Sequence, residues 1–545
     1  MNDPKRWLGL GTRTARWLGI ACLGAALAAA QTTPPQQPPA SAPNASHTNQ
    51  DAPQPTPPET HITPEQARQL FALVDQLLQF SSQQTGLPIK HTVKRRLTTR
   101  AAVQKYLDRQ FNDDKGAKRL QQDEIVLKKF GLLDRDFNLK PFLVALLKEQ
   151  VEAYYDTKTK TVNLLDWVDP DEQKPVLAHE LTHALQDQHS DLEKWDDQTP
   201  DDVSTNAAAD QEHLAKDEMD TARDAVAEGQ ATAVMVNYIL KPKGTSLLKD
   251  PQVVDLWKQQ MTGSDSPVMS RAPLLLSELM LFSYREGLSF EQQVWMDQGQ
   301  NAAFAGALNR PPSSSWEIIN PTVYEKREIP PIPLLPNIHP LLDKLYRPYD
   351  IGQVGQLDLH IMAQLLGGDG MAASLTPAWD GGLYWAGQLR SAKTTAEQDS
   401  TKSLALFYLS AWHSSAAAQV FAQLYGDTLD RKYSQVKKVS TSTSPSSDGS
   451  VETVYDTDEG PVVITTRGKM MFVAESFPLP LARELTALIL NAQGTGAMQT
   501  ARTTMPPAAT LRQQVGRPLS TDLIHLFDNC GVMKFAVDAE MRAAQ

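Results

Sequence analysis

Cysteine is almost absent from this chain: only Cys22 and Cys530 occur in 545 residues. Cys22 sits in an N-terminal apolar run that reads as a removable leader, so the mature chain has no pair for an intramolecular disulfide. Long hydrophobic runs are lacking too. WLGIACLGAALAAA, Trp17 to Ala30, has fourteen residues, against the roughly twenty that a membrane-spanning helix needs. Preceded by Lys5, Arg6, Arg13 and Arg16 and ending in Ala28-Ala29-Ala30, it has the layout of a cleavable secretory signal peptide. The expectation is a secreted or periplasmic protein with no stable membrane insertion after cleavage; an uncleaved anchor is the alternative. Lipidation at Cys22 is disfavoured, because Gly19 stands where leucine is usual. An excess of positive charge is missing as well. The net charge is −12, and the leader holds four basic residues and one acidic, leaving −15 for the remainder, which argues against nucleic acid as a partner.

What is present is enough apolar sequence, 41%, for two or three domains with buried cores. Residues 31–60 hold nine prolines and read as an extended disordered linker. Order begins at ITPEQARQLFALVDQLLQF, with Thr63 as N-cap, Pro64 in the first helical position and a stripe of Leu70, Leu73, Val74, Leu77 and Leu78. Helical patterns continue through TRAAVQKYLDRQF, KRLQQDEIVLKKFGLL and LKPFLVALLKEQ, followed by a hairpin in VEAYYDTKTKTVNLLD. A helix starting near Asp171 to Pro175 carries LAHELTHALQDQH, and ADQEHLAKDEMDTARDAVAEGQATAVMVNYIL reads as one further acidic helix. From about Lys241 to Glu397 the chain is punctuated by proline, with a helix in LLLSELMLFSYREGLSFEQQVW. Near Ser400 the pattern changes: a strand in SLALFYLSAW, a helix in SAAAQVFAQLYGDTL, a flexible crossover at Ser440 to Ser450, strands in VETVYD, PVVITTR and KMMFVAE, and a last helix in LPLARELTALILNA. The fold class expected is α+β. A mainly helical core with a small hairpin or sheet before the motif helix spans 61–397, a smaller α+β domain spans 398–495, and a tail spans 496–545.

The chemistry lies in Leu177 to His189. At 100° per residue, His179 and His183 project from one helical face, so two imidazoles can meet one ion, with Glu180 beside them. Leu177, Leu181, Ala184 and Leu185 form the opposite, core-facing stripe. A hydrolytic zinc site needs three protein ligands plus water. His189 is one candidate for the third, at the position of the last histidine in HExxHxxGxxH. That pattern requires glycine to turn the chain back, and Gln186 stands there. Glu228 is the other and is preferred. It projects from a face with Ala225, Gly229, Thr232 and Val236, where a carboxylate is costly unless something positive meets it. Gly229 and Ala233 would let the two motif helices approach closely.

His179-Glu180-Leu181-Thr182-His183 followed by Ala227-Glu228-Gly229 resembles the zincin metallopeptidases of the gluzincin kind. With YYDTKTKTVNLLD, SSSWEIINPTVY and AWDGGLYWAGQ, the likeness to a group of exported bacterial zincin-like proteins spans roughly Gln79 to Ala386. It implies a zincin-like core, His179, His183 and Glu228 as Zn2+ ligands, Glu180 as catalytic base, and a peptide or protein substrate of unspecified sequence. The 44 residues between His183 and Glu228 exceed the thermolysin-type spacing, so loop geometry does not carry over.

Such a site hydrolyses amide bonds: zinc polarises the carbonyl and acidifies water, and Glu180 moves the proton. Tyr154, Tyr155, His189, Tyr284 and Arg285 are candidate oxyanion donors, and Asp187 and Asp224 candidate partners for the second nitrogens of the histidines. Thr161 to Leu165 would form the substrate-binding edge, and the aromatics of AWDGGLYWAG a pocket. A zinc-stabilised, non-catalytic extracytoplasmic binding or assembly protein is the competing reading. Composition sets no oligomeric state.

Overall fold

The computed structural model describes residues 61–111, 114–151, 153–196, 198, 206–261, 266–442 and 447–493. The expected leader, linker and tail (1–30, 31–60, 496–545) lie outside them. The chain divides after Pro58, and everything below concerns the unit Glu59–Gln545.

Helix α1 (Pro64–Thr85) starts where Thr63 and Gln66 form a reciprocal capping box, with Pro64 at its first position. It is followed by β1 (Lys94–Thr98), α2 (Arg100–Phe111), α3 (Asp114–Phe130), α4 (Leu139–Gln150), β2 (Ala153–Asp156), β3 (Thr161–Leu165), α5 (Pro170–Ser190), α6 (Leu192–Asp196), α7 (Ala207–Lys216), α8 (Met219–Leu240), α9 (Gln252–Gln260) and α10 (Leu274–Gln298). The first sheet has the order β1-β3-β2, with β3 parallel to β1 and antiparallel to β2. Only the β2–β3 hairpin was expected. β1, sequence KRRLT, shows three exposed basic side chains and no apolar alternation, so nothing in its residues marks it as a strand. β3 is therefore the central strand, both of its edges are used, and the expected substrate edge at Thr161 to Leu165 does not exist there. Among the described residues the outer strands of this sheet are β1 and β2, of which β2 pairs antiparallel with β3.

The second sheet has seven strands: β4 (Tyr346–Gln353), β5 (Trp379–Leu389), β6 (Leu404–Trp412), β7 (Val436–Thr441), β8 (Val451–Thr457), β9 (Gly460–Arg467) and β10 (Met470–Glu475), ordered β4-β5-β6-β10-β9-β8-β7. Along β6, Leu404, Leu406, Tyr408 and Trp412 join a core shared with the helices above, while Ala405, Phe407 and Leu409 join a second core with the helix Leu479–Ala492. Strand alternation thus feeds two hydrophobic layers, which is why LALFYLSAW reads as continuous apolar sequence. The expected boundary between Glu397 and Gln398 falls between β5 and β6, which pair with each other from Trp379 to Gln388. The sheet begins instead at Tyr346, and one of its faces belongs to the main core. Trp379, Tyr384 and Trp385, expected to line a pocket, are buried core residues of β5. The strands β7 and β8 that flank the Ser/Thr-rich stretch read as a crossover pair with each other antiparallel. Among the described residues no helix is long and apolar enough to cross a membrane.

The acidic helix expected as one element is two, α7 and α8, separated at Asp217 and Glu218. These carboxylates are buried against the second sheet. Asp217 accepts the Gln353 amide at 2.5 Å and faces His213, and Glu218 accepts from the amide and hydroxyl of Ser315. Asp350, accepting from the Tyr384 hydroxyl at 2.7 Å, and Asp358, accepting from the Gly355 amide at 3.0 Å, complete the group. Burial, reinforced by neighbouring carboxylates and only partly offset by hydrogen bonds, raises Glu218 to about 8 and Asp350 and Asp358 to about 7.

In the unfolded chain such carboxyls titrate near about 4. Each therefore contributes stability that is fully present below about pH 4 and is lost as pH rises through about 7 to 8, at roughly 1.4 kcal/mol per pH unit per group. Tm is expected to fall between about pH 5 and about pH 8.5. Glu218→Gln, which keeps the acceptor for Ser315, should raise Tm at the alkaline end and flatten the profile. Thermal melts across that range check this; a variant less stable than the parent at alkaline pH would contradict it.

Candidate metal centre

Asp169 caps α5 by accepting the Asp171 amide, and Pro170 sets the first turn. Gln173 ties the helix to β3: its side-chain oxygen accepts the Leu165 amide and its nitrogen donates to the carbonyls of Leu165 and Val168. The two-faced helix read from the sequence is buried on every side, from Val176 through Asp187 without a break. Polar groups on it must then be satisfied internally.

His179 and His183 project together, with ring centroids 4.6 Å apart, and α8 brings Glu228 to them across 49 residues of sequence. Glu228 Oε2 lies 3.0 Å from His179 Nε2, Glu228 Oε1 lies 3.4 Å from His183 Nε2, and the two Nε2 atoms are 2.9 Å apart. Ligand atoms held tetrahedrally at about 2.0–2.1 Å from zinc stand roughly 3.3 Å from one another, so the three side chains match the spacing such an ion requires. Among the described residues this is the one group of three or more His, Cys, Asp or Glu side chains able to hold a metal ion. Glu180 is buried beside it, 1% exposed, and its charge acts on His183.

The electrostatics fit a site that demands a positive charge. Burial drives the His179 imidazole down to about 4, more than Glu228 raises it. Burial also opposes a charge on His183, but the charge and hydrogen bond of Glu228, with Glu180 and Gln186 behind them, outweigh it and lift that imidazole to about 9. Burial alone would raise Glu228; the two imidazoles reverse this and hold it at about 2. A proton on His183 thus balances the Glu228 carboxylate, and a metal ion at the same point would replace it.

His189, the rejected alternative, does not join. Helix α5 continues to Ser190, and His189 Nε2 meets Asn309 Oδ1 at 3.1 Å on the partly exposed side. Of the candidate oxyanion donors, Tyr284 stacks on His179, with centroids 6.2 Å apart and planes 23° apart. Tyr154 stacks on Tyr106, Tyr155 donates to Asp187 at 2.8 Å, and Arg285 faces Glu278. Asp187 does not serve a histidine; it holds Tyr155 and Lys160 of the β2–β3 hairpin to the end of α5. Asp224 is buried on α8, and His179 Nδ1 has no hydrogen-bond partner among the described residues. The residues that reading the sequence missed are Gln186 and Gln230. The signal for Gln186 was its position three residues after His183, which places it on the same face; it had been weighed only as an absent glycine.

Gly229 and Ala233 were expected to bring α8 close to α5. The close approach is to α10 instead: a Cβ on Gly229 would overlap the backbone of Gly287, and one on Gly287 would overlap the carbonyl of Ala225. Backbone contact there fixes α8 immediately after Glu228.

No protein-family model, no curated protein and no solved structure matches the chain.

Proposed function

We propose that this protein is an exported zinc-dependent metallopeptidase of the zincin kind, with His179, His183 and Glu228 as ligands and Glu180 as general base. The observation that carries the reading is the convergence of three such side chains on one point among the described residues, with Glu180 buried beside them. A purely structural zinc site closes its fourth position with a fourth protein ligand and has no use for a base. Zinc bound there would supply Lewis acidity, polarising a scissile carbonyl and lowering the pKa of water. Glu180 would accept the proton of the attacking water and pass it to the leaving amine. The Tyr284 hydroxyl would be the donor to a developing oxyanion, its ring lying against His179. An extended peptide would add to β2, an outer strand of the first sheet, with β3 holding that strand in place.

One observation favours the non-catalytic alternative, a zinc-stabilised binding or assembly protein: the group is buried, and the His183 side chain, 11% exposed, is its most open ligand. Metal content separates both readings from a fortuitous motif. Elemental analysis of the purified chain should give one zinc per molecule, lost in Glu228→Ala and retained in His189→Ala. The reverse pattern would remove Glu228 from the ligand set, and no zinc in the parent chain would remove the site.

A further inference from the structure

Two glutamines behind the site have every amide proton assigned. Gln230 on α8 is fully buried, and its Nε2 lies 2.9 Å from the Ala303 carbonyl and 3.1 Å from that of Phe304. Both carbonyls belong to a π-helical turn, Ala302–Gly306, a local irregularity of the kind often found at functional sites. Backbone carbonyls only accept, so the orientation of the Gln230 amide is settled: NH2 toward the turn, oxygen away from it. That oxygen faces Gln186, also fully buried, whose Nε2 stands 2.9 Å from it and 2.9 Å from the Ala227 carbonyl. Two acceptors on one side settle the Gln186 amide in turn. Its Oε1 is thereby directed at His183 Nδ1, 2.9 Å away, and an oxygen acceptor there requires the ring to carry its proton on Nδ1. The polarity of two backbone carbonyls is passed inward, through two amides, to one imidazole.

We propose that Gln186 and Gln230 are positioning residues that keep a proton on His183 Nδ1 and fix the ring so that Nε2 is the nitrogen presented to the metal point. The link to metal rests on reading His183 as a ligand; the link to ring protonation does not. Partners of this kind fix the tautomer and ring orientation of a ligating histidine, and losing one lowers metal affinity by roughly 10–100-fold.

The bland alternative is that Gln186 only staples α5 to α8, and the two roles use opposite ends of its amide. Stapling needs the NH2, which reaches Ala227 and Gln230; positioning needs the oxygen, which reaches His183. Gln186→Glu keeps an oxygen toward His183 and removes the NH2, whereas Gln186→Leu removes both. The test records the His183 Nδ1–H proton by 15N-edited NMR of the metal-free protein at one fixed pH, and zinc affinity by chelator competition, for the parent and both variants. The expected result is a ring proton protected from exchange in the parent and in Gln186→Glu but lost in Gln186→Leu, with zinc affinity reduced roughly 10–100-fold in Gln186→Leu alone. Equal damage in both variants would show a staple and overturn the proposal, as would an unprotected ring proton in the parent. If the parent binds no zinc while its ring proton behaves as expected, the metallopeptidase reading fails and the relay stands.

Discussion

Glu180→Gln should leave one zinc bound per chain and reduce peptide hydrolysis by roughly 10³- to 10⁴-fold, the upper part of the range for loss of a general base. The substitution preserves shape and removes only the ability to take a proton. Glu180 is 1% exposed and stands next to His179 in the sequence, yet the group of three ligand side chains is complete without it. Metal retention and activity loss should therefore separate cleanly. Digestion of a mixed peptide library, followed by mass spectrometry, with elemental analysis of the same samples, measures both. A variant that cleaves as fast as its parent would dismiss Glu180 as the base. A parent that binds zinc and cleaves nothing would move the balance to the non-catalytic reading, which the burial of the site already favours.

The second large effect is expected at a residue that has no side chain. Gly287→Ala on α10 should destabilise the fold by at least about 3 kcal/mol, the upper end of overpacking costs, and should lower zinc occupancy although the residue touches no ligand. The added methyl would overlap the carbonyl of Ala225, and Gly229 on the facing helix has no side chain that could move aside. Relief requires α8 to shift away from α10. Glu228 directly precedes Gly229, so that shift carries its carboxylate out of line with two imidazoles held on α5. Thermal denaturation and zinc content of the variant check both parts. A Tm equal to that of the parent would mean that the two helices are less tightly set against each other than their backbones indicate.

Much of this arrangement was legible in the residues themselves. The i, i+4 spacing of His179 and His183 places both on one helical face whatever surrounds them, because 3.6 residues per turn is a local property. The preference for Glu228 over His189 rested on local facts as well: without a glycine the helix would run on past Gln186, and it does, to Ser190. Strands β6, β8, β9 and β10 and the last helix were readable because alternation and amphipathic spacing are written in short windows, whereas β4, β5 and β7 were not read as strands.

Tertiary structure decided the rest, and each case has a long-range cause. β1 is a strand because β3 lies beside it, with partners 67 residues apart in sequence; KRRLT carries no such instruction. Asp217 and Glu218 interrupt a run that looked helical throughout, because Gln353 and Ser315 offer their carboxylates donors that a continuous helix would not reach. The domain boundary drawn at a change of composition is bridged by direct pairing of β5 with β6. The role of Gln186 was invisible for the same reason. An amide has a donor end and an acceptor end, and only the carbonyls of a turn more than a hundred residues downstream determine which end faces His183. The sequence by itself determined which side chains could share an ion and on which face of which helix they stand, since those follow from helical geometry. Only the packed structure decided that Glu228 meets them and how His183 is held, since these depend on where separate helices cross.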